Sequence, residues 1–251
     1  MMKLMLALSK LYPTLSYAEK EGLLSELEST YSRLPETTCD QCATCCTVPP
    51  PGYLIEFLNM FKYIRDNLAD SQPEIMEKVV RYFFLELVDI NVKCPFLDQS
   101  NNCLVYPVRP LSCRMFGLLS EKDSHLGSRR QLDTVAEKYR QKYSIELPRE
   151  VVEFELQYCD QVRPTNGGKK KVAIDLIQDM ATNIENLEAK IMPQQVIDEH
   201  YTFVPMATHL ALSVLPEGAR LRRPKVMKEY LEKGSSEVLS NYTEKYKGFK
   251  F

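Results

Sequence analysis

Four thiols fall within eight residues, Cys39-Asp40-Gln41-Cys42-Ala43-Thr44-Cys45-Cys46, in the pattern C-x-x-C-x-x-C-C. A second group follows: Cys94-Pro95-Phe96-Leu97, then Cys103, then Cys113 within Tyr106-Pro107-Val108-Arg109-Pro110-Leu111-Ser112-Cys113-Arg114. Cys159 stands alone further on. Crowded thiolates repel one another and crowded free thiols oxidise. A soft metal ion removes both problems, because it deprotonates the sulfurs and neutralises them. All eight, Cys39, Cys42, Cys45, Cys46, Cys94, Cys103, Cys113 and Cys159, are therefore candidate metal ligands.

The spacing admits two metals. C-x-x-C-x-x-C is the run by which three thiolates hold three irons of a [4Fe–4S] cube, a distant Cys supplying the fourth ligand. The other possibility is zinc, held in closed sites of four thiolates built from C-x-x-C knuckles. The knuckle spacing occurs only in the first group, which favours iron–sulfur and leaves Zn2+ as the alternative. Cys45 and Cys46 are adjacent, and in extended backbone neighbouring side chains point apart. Unless the chain bends sharply there, they are expected to serve different centres, or one to ligate while the other packs. Cys159 shares a helical face with Val152 and Leu156 on the expectation of a helix over 149–160, so it reads equally as a ligand or as a buried apolar thiol.

Arg109 and Arg114 flank Cys113. Guanidinium groups there offset thiolate charge and tune a bound centre, or bind an anionic substrate beside it, or else hold loop carbonyls. Phe96, Tyr106 and Phe116 read first as packing for a small loop core. His125, His200 and His209 are isolated and form no H-x-x-x-H or H-E-x-x-H pattern, which argues against a His-based catalytic zinc site.

The order of these pieces resembles the CxxCxxCC cysteine-cluster family, a zinc- or iron-chelating domain. The matching residues are Cys39, Cys42, Cys45 and Cys46, then Cys94-Pro95-Phe96-Leu97, Cys103, Tyr106, Arg109-Pro110, Cys113-Arg114 and Phe116. The resemblance covers about residues 37–117 and implies metal binding by the clustered Cys. A related cluster occurs in flagellin lysine methylases, which are similar in carrying an iron–sulfur centre. This chain lacks the Gly-rich strand-to-helix motif of the common methyl-donor fold.

The elements that must position these thiols are mainly helical. Leu54, Phe57, Leu58, Phe61, Ile64 and Leu68 follow helical spacing, as do Met76, Val79, Val80, Phe83, Leu87 and Ile90. They predict a helical hairpin broken near Asp70-Ser71-Gln72-Pro73. Residues 1–34 read as one or two helices interrupted at Pro13-Thr14, with Ser16 and Glu19 as a capping box for the second. Helices are also expected over 131–143, over the amphipathic stripe from Ala173 to Ile191, and near 194–201, 205–214 and 224–233. Pro49-Pro50-Pro51-Gly52 cannot be helical, so the first Cys group sits on a loop. Cys94, Cys103 and Cys113 are placed on Pro-rich loop with no helix to fix their direction. The expected architecture is mainly α, with helices surrounding an irregular, Cys-rich metal-binding loop core. Its divisions are a helical segment over 1–36, a cysteine-cluster domain over 37–163, and a helical region over 164–251, with Asn166-Gly167-Gly168 as the linker signal.

The chain has 251 residues, 44% of them hydrophobic and 26% charged, with a net charge of −2. That balance gives no global field toward nucleic acid or anionic lipid. The basic runs Lys169-Lys170-Lys171 and Arg220 to Lys228 read as solvated faces, since no aromatic interleaving accompanies them. No apolar stretch is long enough to span a bilayer, and no signal segment is recognisable at the N-terminus. Clustered Cys without a disulfide framework point to the cytosol, where thiols stay reduced. The functional expectation is a cytoplasmic metal-binding protein that holds an iron–sulfur cluster for redox or a metal-assisted step on a protein or small-molecule partner. A structural-zinc interaction module and a metal-buffering or delivery protein are the alternatives.

Overall fold

The computed structural model describes residues 6–124, 132–165, 171–192 and 203–251. His125, His200, the Asn166-Gly167-Gly168 linker, Lys169-Lys170 and the expected helix near 194–201 lie outside the described residues.

Helices α1 (Leu8–Lys20) and α2 (Leu23–Tyr31) lead into β1 (Thr37–Thr38), the first Cys group and β2 (Pro51–Gly52). The hairpin α3 (Leu54–Asn67) and α4 (Gln72–Leu85) comes next. Irregular chain then carries the second Cys group to α5 (Leu111–Arg114), α6 (Glu121–Ser124), α7 (Asp133–Tyr143), α8 (Arg149–Val152) and β3 (Arg163–Pro164). The chain ends with α9 (Ile174–Ile191), β4 (Val204–Pro205), α10 (Met206–Val214), α11 (Glu217–Lys233) and α12 (Glu237–Tyr246).

The hairpin is the core of the molecule. On α3 Leu54, Ile55, Phe57, Leu58, Phe61 and Ile64 are buried, and on α4 so are Ile75, Met76, Val79, Val80, Phe83 and Phe84. Those spacings put a wide apolar stripe on each helix, and both stripes are covered by the remaining helices. Helices α10, α11 and α12 pack on α4, while α1, α9 and α10 pack on α3. One continuous cluster of buried side chains runs from Leu11 to Tyr246. Each fully buried Leu, Phe or Val in it contributes about 1.5–3 kcal/mol of transfer free energy.

The strands are short clips rather than sheets. β1 pairs antiparallel with β3, Thr37 opposite Pro164 and Thr38 opposite Arg163. β2 pairs antiparallel with β4, Pro51 opposite Pro205 and Gly52 opposite Val204. Each joins a flank of the first Cys group to chain more than a hundred residues away. No described helix is long and apolar enough to cross a membrane.

Several expectations need correction. Pro13 lies inside α1 and does not interrupt it. Its ring removes one backbone donor, but Leu11, Leu15 and Ala18 are buried on the same helix and outweigh that loss. Ser16 is therefore mid-helix and caps nothing. The helix expected over 149–160 stops at Val152, so Val152, Leu156 and Cys159 share no helical face. Cys113, placed on open loop, lies instead in the one-turn helix α5. The terminal helix α12 lies beyond the expected helices: Gly234, left-handed at φ 69°, closes α11, and Ser236, whose hydroxyl accepts from the Leu239 N–H, opens α12.

Candidate metal centre

All eight cysteines are free thiols; Cys42 is exposed and the other seven are partly buried. Six of them, Cys39, Cys45, Cys46, Cys94, Cys103 and Cys113, line one cavity of about 350 Å³. Apolar side chains complete its wall, among them Met60, Phe96, Leu97, Val105, Met206 and Ala207, and Arg109 contributes the one cationic group.

Backbone geometry explains how the first group reaches this wall. Gln41 and Ala43 both adopt left-handed conformations at φ 57°, which few non-glycine residues do. They coil the chain into a 3-10 turn over Thr44–Cys46. This is the sharp bend that adjacent thiols require. It brings the Cys45 and Cys46 sulfurs to 3.8 Å from one another, correcting the expectation that they point apart. Two thiolates on one tetrahedral ion, each at about 2.3 Å from the metal, are separated by about 3.8 Å.

The second group is sewn to the first. The Cys94 N–H donates to the Cys46 carbonyl at 2.8 Å, and the Cys94 thiol lies within hydrogen-bonding reach of Cys46. Asp98 holds the following loop by accepting from the Ser100 and Asn102 N–H groups, each at 2.8 Å. That loop turns the chain back so that Leu97 bridges Cys103. Lys78 on α4 donates to the Leu97 carbonyl at 2.6 Å, tying the loop to the core.

Cys113 is positioned by a buried carboxylate. Glu56 Oε1 accepts from the Leu111 N–H at the start of α5 at 2.6 Å, and from the Tyr31 hydroxyl at 2.6 Å. Its Oε2 accepts from the Tyr53 N–H at 2.8 Å. One side chain thus joins α2, the start of α3 and the helix that bears Cys113. The Ser112 hydroxyl adds a bond to the Pro51 carbonyl at 2.5 Å. Glu56 went unnoticed in the sequence, where it reads as one acidic residue in an apolar helix.

Electrostatics at the thiols show what the wall lacks. Cys45 is pushed far up by its hydrogen bond to Cys46 and by burial. At Cys46 the Cys45 hydrogen bond pulls down, but the Cys94 hydrogen bond and burial prevail and push it up. Burial, reinforced by neighbouring thiols, also raises Cys113; burial raises Cys103 and Cys39. Backbone N–H groups oppose this, from Gln41 to Cys39 and from Val105 to Cys103. Cys42 differs: hydrogen bonds from the Thr44 hydroxyl, 3.3 Å away, and from the Thr44 N–H lower it. Five crowded thiols resist ionising together unless a cation joins them, and soft sulfur donors suit zinc or an iron–sulfur core. The donor set therefore fits such a centre.

Among the described residues no three His, Cys, Asp or Glu side chains already stand together closely enough to hold one ion. The thiols ring a space rather than pinch a point. Cys42 and Cys159 are not in that ring; the Cys159 carbonyl faces Gly117 instead. Phe96 and Tyr106 line the cavity, whereas Phe116 does not. His209 is a core residue, stacked on Phe57 at 5.0 Å, with Nε2 3.0 Å from the Gly52 carbonyl.

The two arginines separate. Arg114 donates from Nε to the Arg109 carbonyl at 2.8 Å and from Nη2 to the Pro107 carbonyl at 2.6 Å, with its guanidinium over the Tyr31 ring. It holds the loop. Arg109 lies in the cavity wall.

Comparison with known proteins agrees with the donor chemistry. The model of the CxxCxxCC family, described as "Putative zinc- or iron-chelating domain", matches residues 38–138. No curated protein and no solved structure matches the chain.

Proposed function

We propose that this protein holds an iron–sulfur cluster, of the [4Fe–4S] type, in the thiol-lined cavity and uses it for redox or a metal-assisted step on a protein or small-molecule partner in the cytosol. Zinc or iron chelation is the chemistry attached to the family model over 38–138. The observation that carries the finer reading is the cavity itself. It is walled by six thiols and measures about 350 Å³, roughly twenty times what a single water needs. A lone ion calls for four donors converged on one point, whereas a polynuclear core calls for thiols spread around a larger body. When bound, such a cluster supplies one-electron transfer. The protein's part is to present the thiolates, to point the Gln41 and Val105 N–H groups at Cys39 and Cys103, and to exclude water with Met60, Phe96 and Met206.

One observation favours a second reading, structural zinc in an interaction module. The Cys45–Cys46 sulfur separation of 3.8 Å is that of two ligands on a tetrahedral ion. Anaerobic purification followed by elemental analysis for iron, zinc and acid-labile sulfide decides between them. A brown protein with iron and sulfide in equal amounts is expected. A colourless protein with stoichiometric zinc would replace the first reading with the second.

A further inference from the structure

A guanidinium in a wall of thiols is placed to interact with anionic sulfur. Arg109 shares the cavity with Cys39, Cys45, Cys103 and Cys113, and its charge favours the thiolate form at each of the four. Its Cζ lies 3.6 Å above the centre of the Tyr106 ring, and the Tyr106 hydroxyl donates to the Thr37 carbonyl at 3.2 Å. The plane of the guanidinium is fixed by that stack, and the arginine is preorganised rather than searching. Its Nε–H is buried and has no hydrogen-bond partner. Arg114, five residues on, has its donors occupied by the Pro107 and Arg109 carbonyls. The loop thus spends one arginine on itself and keeps the other uncommitted.

Charge accounting identifies the missing acceptor. Four thiolates around a zinc ion leave a net charge of about −2, and four around a doubly charged [4Fe–4S] core leave the same. Either centre would gather anionic sulfur onto the cavity wall that Arg109 shares. We infer that Arg109 is the charge partner of the metal centre, its Nε–H donating to a metal-bound sulfur, while Arg114 serves only to hold the loop. The inference rests on the metal-centre reading above but not on which metal is bound.

The test uses the full chain, loaded anaerobically and checked for metal content by elemental analysis, as wild type, R109K, R109M and R114M. In nitrogen-labelled wild type the Arg109 Nε–H resonance, assigned by its loss in R109K, should shift on loading and exchange more slowly with solvent. R109M should surrender its metal to a chelator about 10–100-fold faster than wild type, with R109K between them, the usual consequence of removing an outer partner of a ligand. The metal-free proteins should differ the other way, with R114M losing more melting temperature than R109M. A loaded wild type whose Arg109 resonance is unmoved, or a loaded R109M that releases metal at the wild-type rate, overturns the inference while leaving the metal centre standing. A wild type that takes up no metal overturns both.

Discussion

Sulfur position decides most of what happens at the scale of single residues. Cys45, Cys46, Cys94 and Cys113 stand in the cavity wall, and Cys42 and Cys159 do not. Replacing Cys46 or Cys113 by Ser should lower metal per chain measured by elemental analysis, whereas C159S should leave it unchanged. An equal loss from C159S would show that the 153–162 segment moves Cys159 into the site on loading. The thiol pattern was legible in the sequence because metal ligation is written in residue type and spacing. The direction of each sulfur was not. It depends on the left-handed backbone at Gln41 and Ala43, which an ordinary side chain does not announce. Arg109 and Arg114 look equivalent in sequence, and only their hydrogen bonds tell them apart.

Between elements, Glu56 is the joint. Its carboxyl is raised above the usual value of 4.5, chiefly by burial and against the hydrogen bonds from Tyr31, Leu111 and Tyr53. As pH rises the unfolded chain gives up this proton first, so the folded state holds more protons across that window. The contribution is therefore fully present below about 4.5 and is lost as pH climbs through the folded value. E56Q removes the titration and turns an amide N–H₂ toward a backbone donor, leaving that donor unmatched at a cost of about 1–3 kcal/mol. Thermal melts of both proteins should show E56Q least stable relative to wild type near pH 4.5, the gap narrowing at higher pH. Gly52 is a second joint. A Cβ there would lie 2.3 Å from the Met206 terminal carbon and 2.9 Å from both Glu56 Oε2 and Pro110 Cβ. G52A should cost about 1–3 kcal/mol by overpacking, read as a lower denaturant midpoint. The apolar spacings of α3 and α4 made the hairpin readable in the sequence. The short clips and joints were not, because two-residue strands and a single buried carboxylate leave no periodicity behind.

For the whole molecule, the C-terminal helices are part of the core rather than an appendage. Arg223 on α11 pairs with Glu86 just after α4 at 3.1 Å, both side chains nearly buried, and its guanidinium also lies over the Phe83 ring. Removing Arg223 deletes both the pair with Glu86 and the contact with the Phe83 ring. R223M should lose about 3–5 kcal/mol in chemical denaturation. Metal held by the folded thiol ring, as proposed above, would not meet the same arrangement in the unfolded chain, so loading would link to global stability. At a thousand-fold excess over Kd the gain is about 4 kcal/mol, and a chelator should lower Tm accordingly. The mainly helical class was legible from periodicity alone, but α12 was overlooked because its polar, Tyr-bearing sequence resembles a solvated tail.

The β2–β4 clip has a further consequence. It delivers Met206 and Ala207 to the cavity wall from outside residues 38–138, the stretch matched by the family model. The thiols come from one part of the chain, and part of the surface facing them comes from another. Trimming Met206 to Ala in the full chain would keep the six thiols of the ring and open that side of the enclosure to oxygen and solvent. If the centre is iron–sulfur as proposed, loaded M206A should bleach in air faster than wild type at equal metal content. Access to the thiol cavity is thus shaped by a segment that contributes no thiol to it.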